Sequence, residues 1–331
     1  QTPADLVVMM REYLIIIFAG LTGIFLYNFF ASLLRSLGNS AVPLFFLAVS
    51  AILNIVLDLW FVAGLNRGVA GAAEATVISQ YVSGIGIAVY TWLKFPELLR
   101  REKGVRFRLK RMKEIASFSA LTCLQQSIMN LGILAVQGLV NSFGTTVMAA
   151  FAAAVKIDAF AYLPVQDFGN AFSIFTAQNY GARQTERIRK GTRAAVLASL
   201  SFGALVSLCV FVFAEPLMTL FINAEETAVI AEGVRYLHIE GAFYPFIGLL
   251  FLLYGLYRAL GRPGMSVVLT VVSLGARVLL AYTLAAVPTI GVVGIWWSVP
   301  IGWFLADALG VIYYFAKRKK LLHFGPVQNG N

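Results

Sequence analysis

Nine runs of apolar residues, each of 20 residues or more, follow one another along the chain with only short polar breaks between them. They cover approximately 13–34, 44–63, 69–93, 115–141, 148–178, 194–222, 235–258, 266–287 and 292–316. About 20 apolar residues in a helix cross the hydrocarbon layer of a bilayer. Lipid offers no partner to a backbone N–H or C=O, so a crossing segment must be helical or part of a closed barrel. No period-two alternation of the barrel kind is present. The reading is therefore an all-α, polytopic membrane bundle. Composition agrees, since only 13% of the 331 residues are charged, about half the share of a soluble domain. The fifth run contains Pro164 and Gly169, where a kink or an early exit is expected.

The charges orient the runs. Of the 26 Lys and Arg residues, 21 follow odd-numbered spans: Arg35, the group from Lys94 to Lys113, Arg183 to Arg193, Arg258 and Arg262, and Lys317 to Lys320. The other connections hold Arg67, Glu225, Glu226 and little else. By the positive-inside rule the odd-numbered span ends are cytoplasmic. The C-terminus is then inside and residue 1 outside. A net charge of +10 thus belongs to solvated membrane loops, and no nucleic-acid partner is implied. Cys123 and Cys209 lie in apolar runs without metal-ligand spacing and read as small buried hydrophobes. The chain begins with Gln, and the expectation is that it starts partway through a longer protein.

An internal repeat runs at one fixed offset of 223 residues. Arg35-Ser36-Leu37-Gly38 matches Arg258-Ala259-Leu260-Gly261, and Gly68-Val69-Ala70-Gly71 matches Gly291-Val292-Val293-Gly294. Tyr13-Leu14 matches Tyr236-Leu237, and Ser50 matches Ser273. The offset contains an even number of spans, so both copies point the same way. Parallel repeats of this sort form two-lobed transporters. Spans 115–222 precede the second copy and have no partner before the first. Three N-terminal spans are therefore expected to be missing from a twelve-span plan.

The stretches Leu26-Tyr27-Asn28-Phe29 to Gly38, Asn54-Ile55-Val56-Leu57-Asp58 and Gly68 to Ala73 resemble the N-lobe of the multidrug and toxin extrusion (MATE) transporters. Val140 to Gly144, Lys156-Ile157-Asp158 and Gln166 to Ala171 resemble its C-lobe, in the bacterial branch with DNA-damage-inducible F-like members. The resemblance implies that 1–93 is a partial N-lobe (spans four to six), 94–113 a basic cytoplasmic linker, 114–316 the C-lobe and 317–331 a cytoplasmic tail. It also implies antiport of small organic, often cationic solutes against H⁺ or Na⁺ by alternating access. The protein would be a monomer of the bacterial cell membrane, with no cofactor and no enzymatic activity, and this nine-span portion is expected to be inactive by itself.

Asp58 follows Asn54 by four residues, so the two share a helix face. A carboxylate with an amide beside it can hold a proton or an alkali cation, and a charge at mid-span costs roughly 2.5–3.5 kcal/mol on insertion scales, which calls for a reason. The resemblance extends this pair to a cation or proton site of Tyr13, Asn54, Asp58 and Thr76, the one place where Na⁺ is expected. The family's C-lobe sodium site uses acids in its spans seven and ten. Gln125 to Asn130 and Ile247 to Leu249 offer none, which moves the expectation to the N-lobe. Gln125, Asn130, Gln137, Asn141, Lys156, Asp158 and Asn170 are the expected substrate-cavity residues, with interhelical packing as an equal alternative. Glu74, Glu240, Arg277 and Asp307 are isolated in the sequence, and Arg277 is expected to pair with an acid.

Two other function classes were weighed. A lipid-linked saccharide flippase of the related superfamily would present a strongly cationic cavity, whereas mid-span positives here are few (Lys156 and Arg277). A membrane-embedded enzyme would need a catalytic constellation, and the chain has only His238 and His323.

Overall fold

The computed structural model describes residues 4–99 and 109–322, all helices and connections. The middle of the basic linker, from Arg100 to Arg108, and the tail from His323 onward lie outside the described residues. The chain divides after Phe107 into two units, 1–107 and 108–331.

In the first unit α1 (Ala4–Ala19) and α2 (Leu21–Ser36) form one span interrupted at Gly20. It is followed by α3 (Ala41–Asp58), α4 (Gly68–Lys94) and the short α5 (Pro96–Leu99). The last turn after α3, Leu59–Gly64, widens to π-helical spacing immediately beyond Asp58, a local irregularity frequent at functional positions. The second unit holds α6 (Leu109–Asn141), α7 (Thr145–Gly181), α8 (Thr185–Thr219), α9 (Thr227–Gly241), α10 (Tyr244–Ala259), α11 (Pro263–Ala285) and α12 (Val292–Leu321). Among the described residues eight helical segments, α1 with α2 counting as one, are long and apolar enough to cross a membrane. The pair α9–α10, bent by 51°, makes a ninth if it counts as one span. The sequence reading passed over that bend, although Gly241 and Pro245 flank it. It also passed over a second one, at Phe213 in α8, three residues before Pro216. Conversely α7 runs unbroken through Pro164 and Gly169.

The repeat is visible in the backbone inside each unit. Gly38 and Gly261 both have left-handed φ, at 86° and 73°. Asn39 N–H donates to Leu34 O at 2.9 Å, and Arg262 N–H donates to Tyr257 O at 2.8 Å. Arg-x-Leu-Gly is thus a helix C-cap: the glycine adopts the left-handed turn, and the residue after it closes the six-residue ring. The Gly-Val-x-Gly element works in two parts. Gly68 and Gly291 turn the chain at φ 54° in both copies. Gly71 and Gly294 then press on residues of equivalent register, Phe61 and Leu284, where an added Cβ would approach to 3.1 and 2.5 Å. Even the breaks match, since Gly20 plus the offset falls on Phe243.

Close approach also builds the second core. Every residue from Leu250 to Tyr257 on α10 is buried, as expected of a helix enclosed on all sides. Gly169 of α7 faces the Phe251 carbonyl, and Gly255 faces the Gly169 carbonyl, each leaving under 3 Å for a Cβ. Small residues let membrane helices meet backbone to backbone, where dispersion and packing replace the absent hydrophobic drive. Gly169 therefore serves contact rather than a kink. Gly255→Val is expected to destabilise the second unit by about 1–3 kcal/mol through overpacking. Gly138→Ala, which meets nothing within 4 Å, is expected to be nearly neutral. Denaturation in lipid nanodiscs measures both.

Candidate functional site

In the second unit six helices contribute residues to a cavity of about 260 Å³. On α7 these are Phe151, Val155, Asp158, Ala159, Tyr162 and Leu163, at the i, i+4, i+7 spacing of one helix face. Gln137 on α6, Tyr236 and Glu240 on α9, Tyr254 on α10 and Ser273 and Arg277 on α11 complete its polar part. Phe251 and Trp303 help to make the remainder apolar.

Asp158 is the centre of this cluster. Its Oδ2 accepts the Tyr236 hydroxyl at 2.6 Å, and its Oδ1 accepts the Tyr244 hydroxyl. Tyr236 belongs to α9 and Tyr244 to α10, so one carboxylate holds both sides of the 51° bend. The Tyr236 ring is fixed in turn by Phe151 and Trp296, with centroids at 5.5 and 4.9 Å. Trp296 is anchored by its indole N–H, which donates to Glu232 at 2.7 Å. Glu240 is buried and its Oε2 has no hydrogen-bond partner, and the same holds for Arg277 Nε. The ion pair expected for Arg277 is not formed: among the described residues no acid comes within 4.0 Å of its guanidinium.

Of the seven expected cavity residues, Gln137 and Asp158 line this space and the others do not. Lys156 is two residues from Asp158 and so points the opposite way, its ammonium 5.4 Å from the Phe221 ring centre. Asn170 accepts a hydrogen bond from Arg258 at 3.1 Å. Asn141 accepts one from Gln137 at 2.9 Å. Asn130 is exposed, and Gln125 is buried away from the cavity. The sequence reading gave no site role to Tyr236, Tyr244 or Glu240. Tyr236 had a signal: it is the repeat partner of Tyr13, and Glu240 lies one turn beyond it.

In the first unit Asn54 Nδ2 donates to Asp58 Oδ2 at 3.2 Å, and Asp58 Oδ1 is buried without a partner. The amide thus turns its nitrogen, not its oxygen, to the carboxylate. Thr76 donates to its own helix at Ala72 O, and Tyr13 makes no hydrogen bond to the pair. Glu74 is not isolated; it pairs with Arg67 at 2.6 Å. Among the described residues no three His, Cys, Asp or Glu side chains are grouped closely enough to hold a metal ion.

Fold and site together define a multi-pass helical membrane protein built on a repeat, with carboxylates buried in its spans. The MatE family model matches residues 1–60 and 122–283, and the chain belongs to that family, whose members are transporters. It is 32% identical over 279 residues to a probable multidrug resistance protein, YpnP, of Bacillus subtilis, covering 82% of this chain and 60% of that one. It is 28% identical over 267 residues to DNA damage-inducible protein F of Escherichia coli, covering 78% of this chain and 56% of that one. The chain thus spans less than two thirds of the length of either relative. In fold it is similar to the Vibrio cholerae MATE transporter VcmN in its bent form, with a TM-score of 0.84 at 23% identity, over 97% of this chain and 71% of that one.

Removing one donor from Asp158 by Tyr244→Phe leaves a buried carboxylate oxygen unsatisfied. The expected loss of stability is about 1–3 kcal/mol. In an Asp158→Asn background the same change should cost less, and the difference is the coupling between the two groups. Equal losses in both backgrounds, measured by denaturation, would remove this bond from the account.

Proposed function

We propose that the chain works in a secondary active efflux transporter that expels small organic, often cationic solutes in exchange for H⁺ or Na⁺. The observation that carries this reading is Asp158, a carboxylate inside a membrane span, facing a mostly apolar cavity and tied to both sides of a bent helix pair. Aromatic walls suit flat organic solutes, and a carboxylate suits their positive charge. An arriving proton or Na⁺ competes for the oxygens that hold Tyr236 and Tyr244. Ion arrival then changes the relative stability of two helix arrangements, and only such differential binding can drive alternation. Asp58, with Asn54, Tyr13 and Thr76, is the second ion-binding candidate, in the first unit.

On this reading residues 1–93 correspond to spans four to six of the family and 114–316 to spans seven to twelve, joined by the linker 94–113. The odd-numbered span ends, and with them the C-terminal tail 317–331, face the cytoplasm of a bacterial cell. The transporter works as a monomer, with lipid as its only other neighbour.

Inverted membrane vesicles containing the full-length protein, loaded with a fluorescent organic cation, provide the test. Accumulation driven by a pH or Na⁺ gradient is expected, and comparing the two gradients identifies the ion. Asp158→Asn and Asp58→Asn are each expected to abolish gradient-driven accumulation at unchanged protein level. A variant that accumulates the dye like the wild type removes its carboxylate from the mechanism. Wild-type vesicles that ignore both gradients overturn the reading.

A further inference from the structure

One acid is left over by this account. Asp307 lies at the middle of α12, 15 residues after Val292 and 14 before Leu321, hence about 20 Å from either helix end. It is 3% exposed, and neither of its carboxylate oxygens has a hydrogen-bond partner. It is not part of the cavity lining. A carboxylate in such surroundings needs either a proton or a cation, because a lone buried charge is prohibitively unfavourable.

The scaffold itself has no use for an acid here. In the repeat register Asp307 corresponds to Gly84, where even a Cβ would come within 2.6 Å of the Gly23 carbonyl.

We propose that Asp307 is a proton-carrying group of the second unit, a site additional to the Asp158–Glu240 cavity. The step balances simply. A hydrated proton gives its proton to the Asp307 carboxylate: one O–H bond breaks at the donor and one forms at Asp307, and the reverse step releases it.

The surroundings favour a proton over a metal cation, which would need several oxygen ligands. The helices packed on α12 are α11, α10, α9 and α6. Tyr254 is the titratable group that α10 brings near Asp307. Of the core-facing charges of α11 and α9, Arg277 and Glu240 line the cavity, and Glu232 is held by the Trp296 indole near the start of α12. Those of α6 are confined to its first two turns, Lys110 to Glu114. Among the described residues no basic side chain comes within 4.0 Å of Asp307.

This inference rests on the coupled-transport reading, and the experiment separates the two. The full-length protein, wild type and Asp307→Asn, is reconstituted into liposomes. Three readouts follow: solute counterflow without a gradient, uptake driven by a pH gradient, and the infrared carbonyl band of protonated carboxylic acids at neutral pH. Asp307→Asn is expected to keep counterflow, to lose pH-driven uptake and to lack one component of the band. Asp307→Glu should restore uptake and shift that component. Wild-type-like pH-driven uptake in Asp307→Asn, or an unchanged band, overturns the proposal. If Asp307→Asn does not fold, the glutamate variant decides, since an unshifted band in it also overturns the proposal. A wild type that ignores the pH gradient overturns coupled transport instead, and the infrared arm still decides whether Asp307 carries a proton.

Discussion

Asp158 stands between the two pieces of a broken helix, and its two oxygens tie them together. Hydrogen bonds from neutral hydroxyls to a buried charged group stabilise by about 1.5–3 kcal/mol each, so the pair of tyrosines is a large local term. The bend between α9 and α10 is therefore held by side-chain chemistry as well as by packing. Whatever changes the carboxylate changes the restraint on the bend. The aromatic group of Phe151, Tyr236 and Trp296 keeps one of the two hydroxyls in place.

The frame around this contact depends on small residues. Gly169 and Gly255 bring α7 against α10, and Gly302 of α12 lies against the Ser273 carbonyl of α11. In the first unit the corresponding pair is Ser50, whose hydroxyl donates to the Ser79 carbonyl at 2.9 Å. Each crossing sets where the next polar side chain can reach.

Features with a local physical cause were legible in the sequence. The spans follow from apolar length, and the repeat follows from turn glycines that only certain backbone angles demand. The pairing of Asn54 with Asp58 follows from helical spacing. The cavity was legible only in part. Gln137 and Asp158 were named, but Lys156 was grouped with Asp158 by proximity in sequence although the two point apart. The acid of the α9–α10 span was sought at Ile247 to Leu249, whereas Glu240 sits before the break. The 51° bend escaped the reading because the run 235–258 was taken as one apolar span, although Gly241 ends α9 and Pro245 stands in the first turn of α10.

The repeat register puts Ala281 where the first unit has Asp58, Arg277 where it has Asn54, and Asp307 where it has Gly84. After duplication, then, the inherited frame kept its turns while its acids moved to non-equivalent places. For the ion-coupled transport proposed above, two unlike acid sites would let the halves answer the same ion differently, which would give such a machine a built-in sense of direction.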